Sequence, residues 1–508
     1  MAERSAAPAG GQNPWAAGTP APTSTRWLVL AVIGVSQLMV VLDLTVMNLA
    51  LPSAQHALEF TNADRQWVVT AYALSFGSLL LFGGRLADLV GHKVIFLTGL
   101  IGFAAASAVG GASVDFAMLV TARACQGVFA ALLAPAALAL LVTTFTDPAE
   151  RGKAFGVFGA IAASGAALGL LLGGVLTSYL SWRWCMYVNV AFSAITIAGG
   201  VLFMGGRRRI PGARLDLPGV LTGSSGMFCL VYGFSNAATH SWRAAATWAF
   251  LVAGVVLLVV FTAGQARAAQ PLLPLRIVLD RNRGGAYLTI LLAGAGMFGI
   301  FLFLLYYMQL TLGYSPVVSG VAMLPMVVVS GTMANIGNIR LMPRVGPKPL
   351  VFTGMLLNAV GMVWLTRIGL HSGYPSALLG PLVVSGAGMG LIFASAANTG
   401  TFGVAPRDAG AASAVISTAQ QLGGAIGTAL LNTIATSAAA AYLVGHQGGR
   451  SALTAELATL HGTTTVFWWC AGIFAAGAVL CGALLRRGPL AQAQVAPAPE
   501  QSRQAASA

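Results

Sequence analysis

An all-α polytopic membrane protein with fourteen transmembrane helices is the fold class this sequence predicts. Three observations lead there. Of 508 residues, 57% are hydrophobic and only 8% are charged. The mean hydropathy of +0.80 lies far from the balance of soluble domains. Apolar runs of about 20 residues, the length that crosses a bilayer as a helix, recur from end to end. Basic residues gather in alternate connections between the runs, the bias of cytoplasmic segments.

The spans begin near Trp27, Trp67, Val94, Phe116, Phe155, Trp184, Leu215 and Ala244, then near Gly284, Pro316, Pro347, Ser376, Ala409 and Thr463. Residues 1–26 are rich in Ala, Gly and Pro without an apolar run and read as a disordered cytoplasmic tail. The first span, Trp27 to about Leu51, is too long for a signal-peptide core and is followed by another span, so it is expected to be retained. With the N-terminus inside, the basic residues left outside are Arg65, Arg183, Arg243, Arg367 and Arg450. The clusters Arg207–Arg209, Arg276 to Arg283 and Arg340 to Lys348 then fall inside. An even number of spans puts both termini in the cytoplasm.

Two longer cytoplasmic segments, Arg207 to Arg214 and Gln265 to Arg283, flank spans 7 and 8. The organisation is therefore six plus two plus six. The boundaries are a tail (1–26), an N-terminal six-helix bundle (27–206), a linker with spans 7 and 8 (207–283), a C-terminal six-helix bundle (284–487) and a second disordered tail (488–508). Pro271–Arg283 mixes apolar and basic residues and predicts an interfacial helix against anionic lipid.

Composition also excludes function classes. The net charge of +14 sits at span ends and not in any nucleic-acid motif, so no nucleic-acid partner is expected. The five cysteines lack metal-ligand spacing, and six histidines scatter over loops on both sides. A membrane enzyme or a metal site would need such groups clustered, and a channel would need polar rings or filter repeats.

Asp43 is the lone acid deep within an apolar run, in Leu42–Pro52. An aspartate at the centre of a membrane helix costs about 3 kcal/mol even on a lenient scale and marks an ion or proton pathway. Arg123 lies eight residues into span 4, about 12 Å deep, and Asp43 lies about 13 Å from the outer end of span 1. An acid and a base at matching depth can neutralise one another, and protonation of Asp43 would release Arg123. Polar residues within other spans are substrate-cavity candidates: Asn48, Tyr72, Tyr307, Gln309, Asn398, Gln420 and Gln421.

Four stretches resemble, in order and on the right spans, the fourteen-span drug:proton antiporter branch of the major facilitator superfamily. They are Leu42–Pro52, Gly83–Lys93 (GGRLADLVGHK), Arg123–Pro135 and Gly156–Gly174. The resemblance implies two six-helix bundles plus two inserted linker helices around a central cavity. It implies proton-coupled export of hydrophobic or amphipathic drugs or antibiotics by alternating access in the bacterial cytoplasmic membrane. No cofactor other than the proton gradient is implied, and the expected partners are a small hydrophobic substrate, protons and lipid around a monomer. An importer of a small metabolite with the same fold is the alternative, since fold does not fix direction.

The resemblance also assigns roles. Gly84, Arg85, Asp88, Gly91 and Lys93 form a conformational latch in which Asp88 caps a neighbouring helix. Gly84 and Gly91 permit a tight bend between spans 2 and 3. Leu89 and His92 replace residues that are basic in the family, which predicts either a weaker latch or a pH-sensitive one. Gly156, Gly165, Gly169, Gly173 and Gly174 give span 5 a smooth face expected to seal the two bundles against leak. Leu170 stands where the family has proline, so a kink is not expected there.

Overall fold

A computed structural model describes residues 23–60, 62–205, 215–239, 242–445 and 452–489. The expected tails, for the most part, and the Arg207–Arg209 cluster and Arg450 lie outside the described residues. The helices are α1 (Thr23–Leu58), α2 (Asn62–Val90), α3 (His92–Gly111), α4 (Phe116–Thr144), α5 (Pro148–Tyr179), α6 (Trp184–Phe203), α7 (Leu217–Thr239) and α8 (Ala245–Arg267). After a short α9 (Leu275–Leu279) come α10 (Arg281–Tyr306), α11 (Pro316–Ile336), a short α12 (Met342–Val345), α13 (Pro347–Leu365), α14 (Leu379–Thr401), α15 (Ala409–Gly445) and α16 (Ala452–Leu484).

Thirteen of these helices are long and apolar enough to cross a membrane among the described residues. The fourteenth expected span is α5, 32 residues without an internal proline, wedged between α1 and α11. Boundaries moved at several helix ends, among them the starts of α2 and α5, which lie at Asn62 and Pro148. The first helix starts at Thr23, so the N-terminal tail is shorter than expected, and it runs through Pro52 to Leu58. The last helix starts at Ala452, a full two turns and more before Thr463, because the Ala-rich stretch with Glu456 extends it into the polar region.

Caps explain many of the starts. Asp115 accepts the Met118 N–H at 2.8 Å, Asp147 accepts those of Ala149 and Glu150 with Pro148 following, and Asp280 accepts that of Arg283. Each satisfies backbone donors that a helix leaves unpaired at its first turn.

Helices α1–α6 pack as one bundle and α10, α11 and α13–α16 as another; one apolar core fills the second bundle, while a larger one runs from the first bundle across to residues of α10 and α15 such as Ile290 and Ile416. Two seams join them: α5 against α11 and α14, and α2 with α4 against α15. The α7–α8 hairpin lies beside α2 and α15. The expected interfacial helix is reduced to five residues, α9. Leu272, Leu273 and Ile277 are buried in the core that the two bundles share, so this segment turns those apolar residues inward and leaves Leu279 exposed. Its Arg276 pairs with Asp408 at the start of α15.

Candidate functional site

Asp43 and Arg123 meet. Arg123 Nη1 donates to Asp43 Oδ2 at 2.6 Å, and each side chain is 1% exposed. Burial of two charges is tolerable only when their remaining lone pairs and protons find partners. Here three further helices supply them. Asn189 on α6 donates to Asp43 Oδ1 at 2.6 Å, and Gln126 Nε2 donates to the same oxygen at 3.3 Å. Gln126 also accepts from Arg123 at 2.8 Å and donates to Ser107 Oγ of α3 at 2.7 Å. Arg123 Nε donates to the Val68 carbonyl of α2 at 3.2 Å, and its guanidinium lies 4.5 Å from the centre of the Tyr72 ring.

The network joins α1, α2, α3, α4 and α6, and all its side chains are buried. In this conformation the pair is sealed from solvent. Water could reach it only in another conformation. Sequence reasoning found Asp43, Arg123 and Tyr72 but missed Gln126, Asn189 and Ser107. Uncharged amides carry little signal in a sequence, although Gln126 lies one helical turn after Arg123, where neighbours share a face.

The second polar region is at the far end of α2. Asp88 Oδ1 accepts the Gly410 N–H at 2.8 Å and Oδ2 accepts the Ala411 N–H at 3.0 Å, across the seam at the start of α15. A carboxylate facing two free N–H groups at a helix start is favoured by the helix dipole. His92 Nε2 sits 3.0 Å from Asp88 Oδ1. Gly91, at φ 112°, makes the bend into α3 that L side chains rarely adopt.

Three expected members of the latch do something else. Gly84 is inside α2, not in the bend; a Cβ there would lie 2.5 Å from the Gly410 carbonyl oxygen and from the Ala414 side chain, so it lets α2 touch α15. Lys93 does not cross the seam: it donates to the carbonyls of Val201 and Met204 and closes the end of α6. Arg85 is buried at 8% exposure with its Nε unpaired.

The glycine face of α5 divides in two. Gly165, Gly169 and Gly173 rest on α1, against Val41, Thr45 and Val46, inside one bundle. Gly156 and Gly174 turn to α11, against Asn335 and Val317. The expectation that the whole row seals the bundles is corrected, because Gly156 lies nine residues before Gly165 and Gly174 one residue after Gly173, steps that turn each well around the helix from the row of fours. The inter-bundle contact is completed by Gly152 and Gly159, against Asn338 and Ala394.

The substrate-cavity candidates do not converge on one cavity. Tyr72 belongs to the Asp43 network. Tyr307 is buried and donates to the Gly369 carbonyl at 2.6 Å, at the end of α13. Asn398 is buried at the opposite end of that bundle, 3.4 Å from Asn338 Oδ1. Gln309, Gln420 and Gln421 are half-buried, and the Asn48 side chain lies outside the described residues. Depth in a span does not tell which way a side chain turns. Among the described residues no His, Cys, Asp or Glu cluster could hold a metal ion.

The sequence pattern of the Major Facilitator Superfamily matches residues 33–428. The chain is 47% identical over 466 residues to the puromycin resistance protein pur8 of Streptomyces alboniger, covering 91% of this chain and 92% of that one. It is 39% identical to the cephamycin export protein CmcT of Amycolatopsis lactamdurans, covering 85% and 90%. A solved structure of the proton:xylose symporter XylE superposes with a TM-score of 0.61 at 15% identity, over 92% of this chain and 97% of that one. The chain belongs to the Major Facilitator Superfamily and is a multi-pass membrane transporter.

Proposed function

We propose that this member of the Major Facilitator Superfamily exports hydrophobic or amphipathic molecules of drug or antibiotic type across the bacterial cytoplasmic membrane, in exchange for protons. The single observation that carries the coupling is the buried Asp43–Arg123 pair, two opposite charges held 2.6 Å apart in a sealed polar network. The direction rests on relatives named for puromycin resistance and cephamycin export. Fold alone does not fix it, since a proton:xylose symporter shares the architecture.

In this reading both termini are cytoplasmic, the chain works as a monomer without a bound cofactor, and Asp43 carries the proton. Protonation neutralises the carboxylate, weakens its hold on Arg123 and frees the bundle to rearrange. Asp88 at the start of α15 holds the cytoplasmic side closed, and its release accompanies opening. One proton moving down 100 mV supplies about 2.3 kcal/mol, enough for roughly a 50-fold solute gradient.

The test is a susceptibility panel in an efflux-deficient bacterial host carrying the wild-type chain, Asp43→Asn or an empty vector. Expected is resistance to one or more hydrophobic compounds that Asp43→Asn abolishes at equal expression. Uphill export by Asp43→Asn that an uncoupler still stops would remove Asp43 from the coupling role.

A further inference from the structure

The amide of Asn189 reaches the coupling carboxylate and leaves half of itself unused. Its Nδ2 donates to Asp43 Oδ1 at 2.6 Å, while its own Oδ1 is buried without a partner. The side chain is 0% exposed. An unpaired buried acceptor beside a bilayer-buried carboxylate costs stability unless another state of the site uses it.

Protonation of Asp43 creates that state. An ionised carboxylate only accepts hydrogen bonds, whereas the acid must also donate one. Within this dry network the other side chains bonded to Asp43 have no acceptor to spare. Arg123 has no acceptor, and Gln126 already accepts from Arg123 and donates to Ser107, so turning its amide would break both bonds. Asn189 can turn about its terminal torsion and give up only the bond it makes to Asp43. Its oxygen then faces Asp43 and accepts the new O–H. The Tyr72 hydroxyl is the other buried polar atom near Arg123 without a partner, on the opposite helix, α2.

We propose that Asn189 is the positioning residue for proton loading. It donates to the Asp43 carboxylate in the charged state and, rotated, accepts from the carboxylic acid in the neutral state. The inference rests on the reading of Asp43 as the coupling acid. The proton comes from water on whichever side the carrier has opened and binds Asp43 Oδ1. The O–H donates to Asn189 Oδ1, Asp43 Oδ2 stays beside an Arg123 that no longer faces a net charge, and release reverses these steps. One turn to either side of Asn189 on α6, Ser193 donates to Met39 Sδ on α1 and Cys185 Sγ lies 3.4 Å from Thr177 Oγ1 on α5.

The titratable and charged groups facing Asp43 are Arg123 on α4, Tyr72 on α2 and the Cys185 thiol on α6. Towards α1, α5 presents Gly165, Gly169 and Gly173 and adds no charge. Replacing Asn189 with leucine removes both bonds. The acid form then has no acceptor for its O–H, and its carboxylic C=O band moves to higher frequency.

Infrared difference spectra of the full chain in lipid, recorded between acid and alkaline buffer, identify that band as the carboxylic C=O signal that Asp43→Asn deletes. Asn189→Leu, and the smaller Asn189→Ala should leucine misfold, are expected to shift the band to higher frequency in a variant that still folds. A band present at an unmoved frequency in a folded variant would overturn the role of Asn189 alone. If no band is lost in Asp43→Asn, Asp43 does not exchange protons, and the coupling role falls together with this inference.

Discussion

Replacing Asp88 with asparagine perturbs the seam at one atom. The carboxylate spends one oxygen on Gly410 N–H and the other on Ala411 N–H, and its side chain is fully buried. Asparagine keeps one acceptor and turns an NH2 group towards the second N–H, leaving a buried donor unpaired. That loss costs about 1–3 kcal/mol. Removing the negative charge at the start of α15 costs about a further 0.3–1 kcal/mol. A central figure of about 2 kcal/mol lowers the population with the seam closed relative to the open one by about thirtyfold. A near-isosteric Ser413→Cys, buried on the α15 turn that meets α2, reports the change. Its labelling by a water-soluble maleimide in inverted vesicles is expected to quicken by roughly that factor in the Asp88→Asn background, with transport reduced and the range of substrates unaltered. Equal labelling rates in the two backgrounds would refute the latch and leave Asp88 a topological anchor.

Three other outcomes separate packing from coupling. In Gly169→Leu the new side chain overlaps Thr45, two residues from Asp43, at an overpacking cost of about 1–3 kcal/mol; the variant is expected to fold but to lose export or leak protons in a vesicle acidification assay. Leu170→Pro, in an α5 that now runs unbroken, should kink the helix yet keep most of the resistance, measured in the same host. Arg276→Gln removes one partner of Asp408 and leaves Arg407, 3.9 Å away; Arg276 is 59% exposed, and exposed ion pairs are worth about 0–1 kcal/mol, so transport should fall less than about fivefold, far less than for Asp88→Asn.

The spans were legible because lipid imposes length and apolarity on every crossing helix, a signal that needs no knowledge of neighbours. Asp43 and Arg123 were legible for the same reason inverted: charges within such helices are rare enough to stand out. Direction was the part that stayed hidden. The glycines of α5 read as one face, yet Gly169 meets α1 and Gly174 meets α11, since a short step around the helix changes the partner. Lys93 has the spacing of a latch residue but the reach of a cap on α6. Asn189 and Gln126 are uncharged, so nothing in the chain distinguished them from other amides until α6 and α4 were seen to converge on Asp43.

That convergence gives the Asp43–Arg123 pair its place in the mechanics. The N-terminal bundle meets its counterpart along two seams carried by different helices, α5 on one side and α2 on the other. Helix α5 is locked to α1 by glycines that admit Val41, Thr45 and Val46. Helix α2 is locked to α4, where Gly127 lies against the Tyr72 carbonyl and Gly83 against that of Ala131. Between these two pairs the side-chain tie is the bond from Arg123 and Gln126 on α4 to Asp43 on α1, with Arg123 also gripping the Val68 carbonyl of α2. In the proposed role, a proton on Asp43 would weaken that tie and leave Arg123 its α2 and α4 partners, while Asn189 would keep α1 joined to α6. The charge thus sits at the joint between the two seams, where a change of one unit bears on both. No polar group elsewhere in the described chain links the α1–α5 pair to the α2–α4 pair with a buried charge.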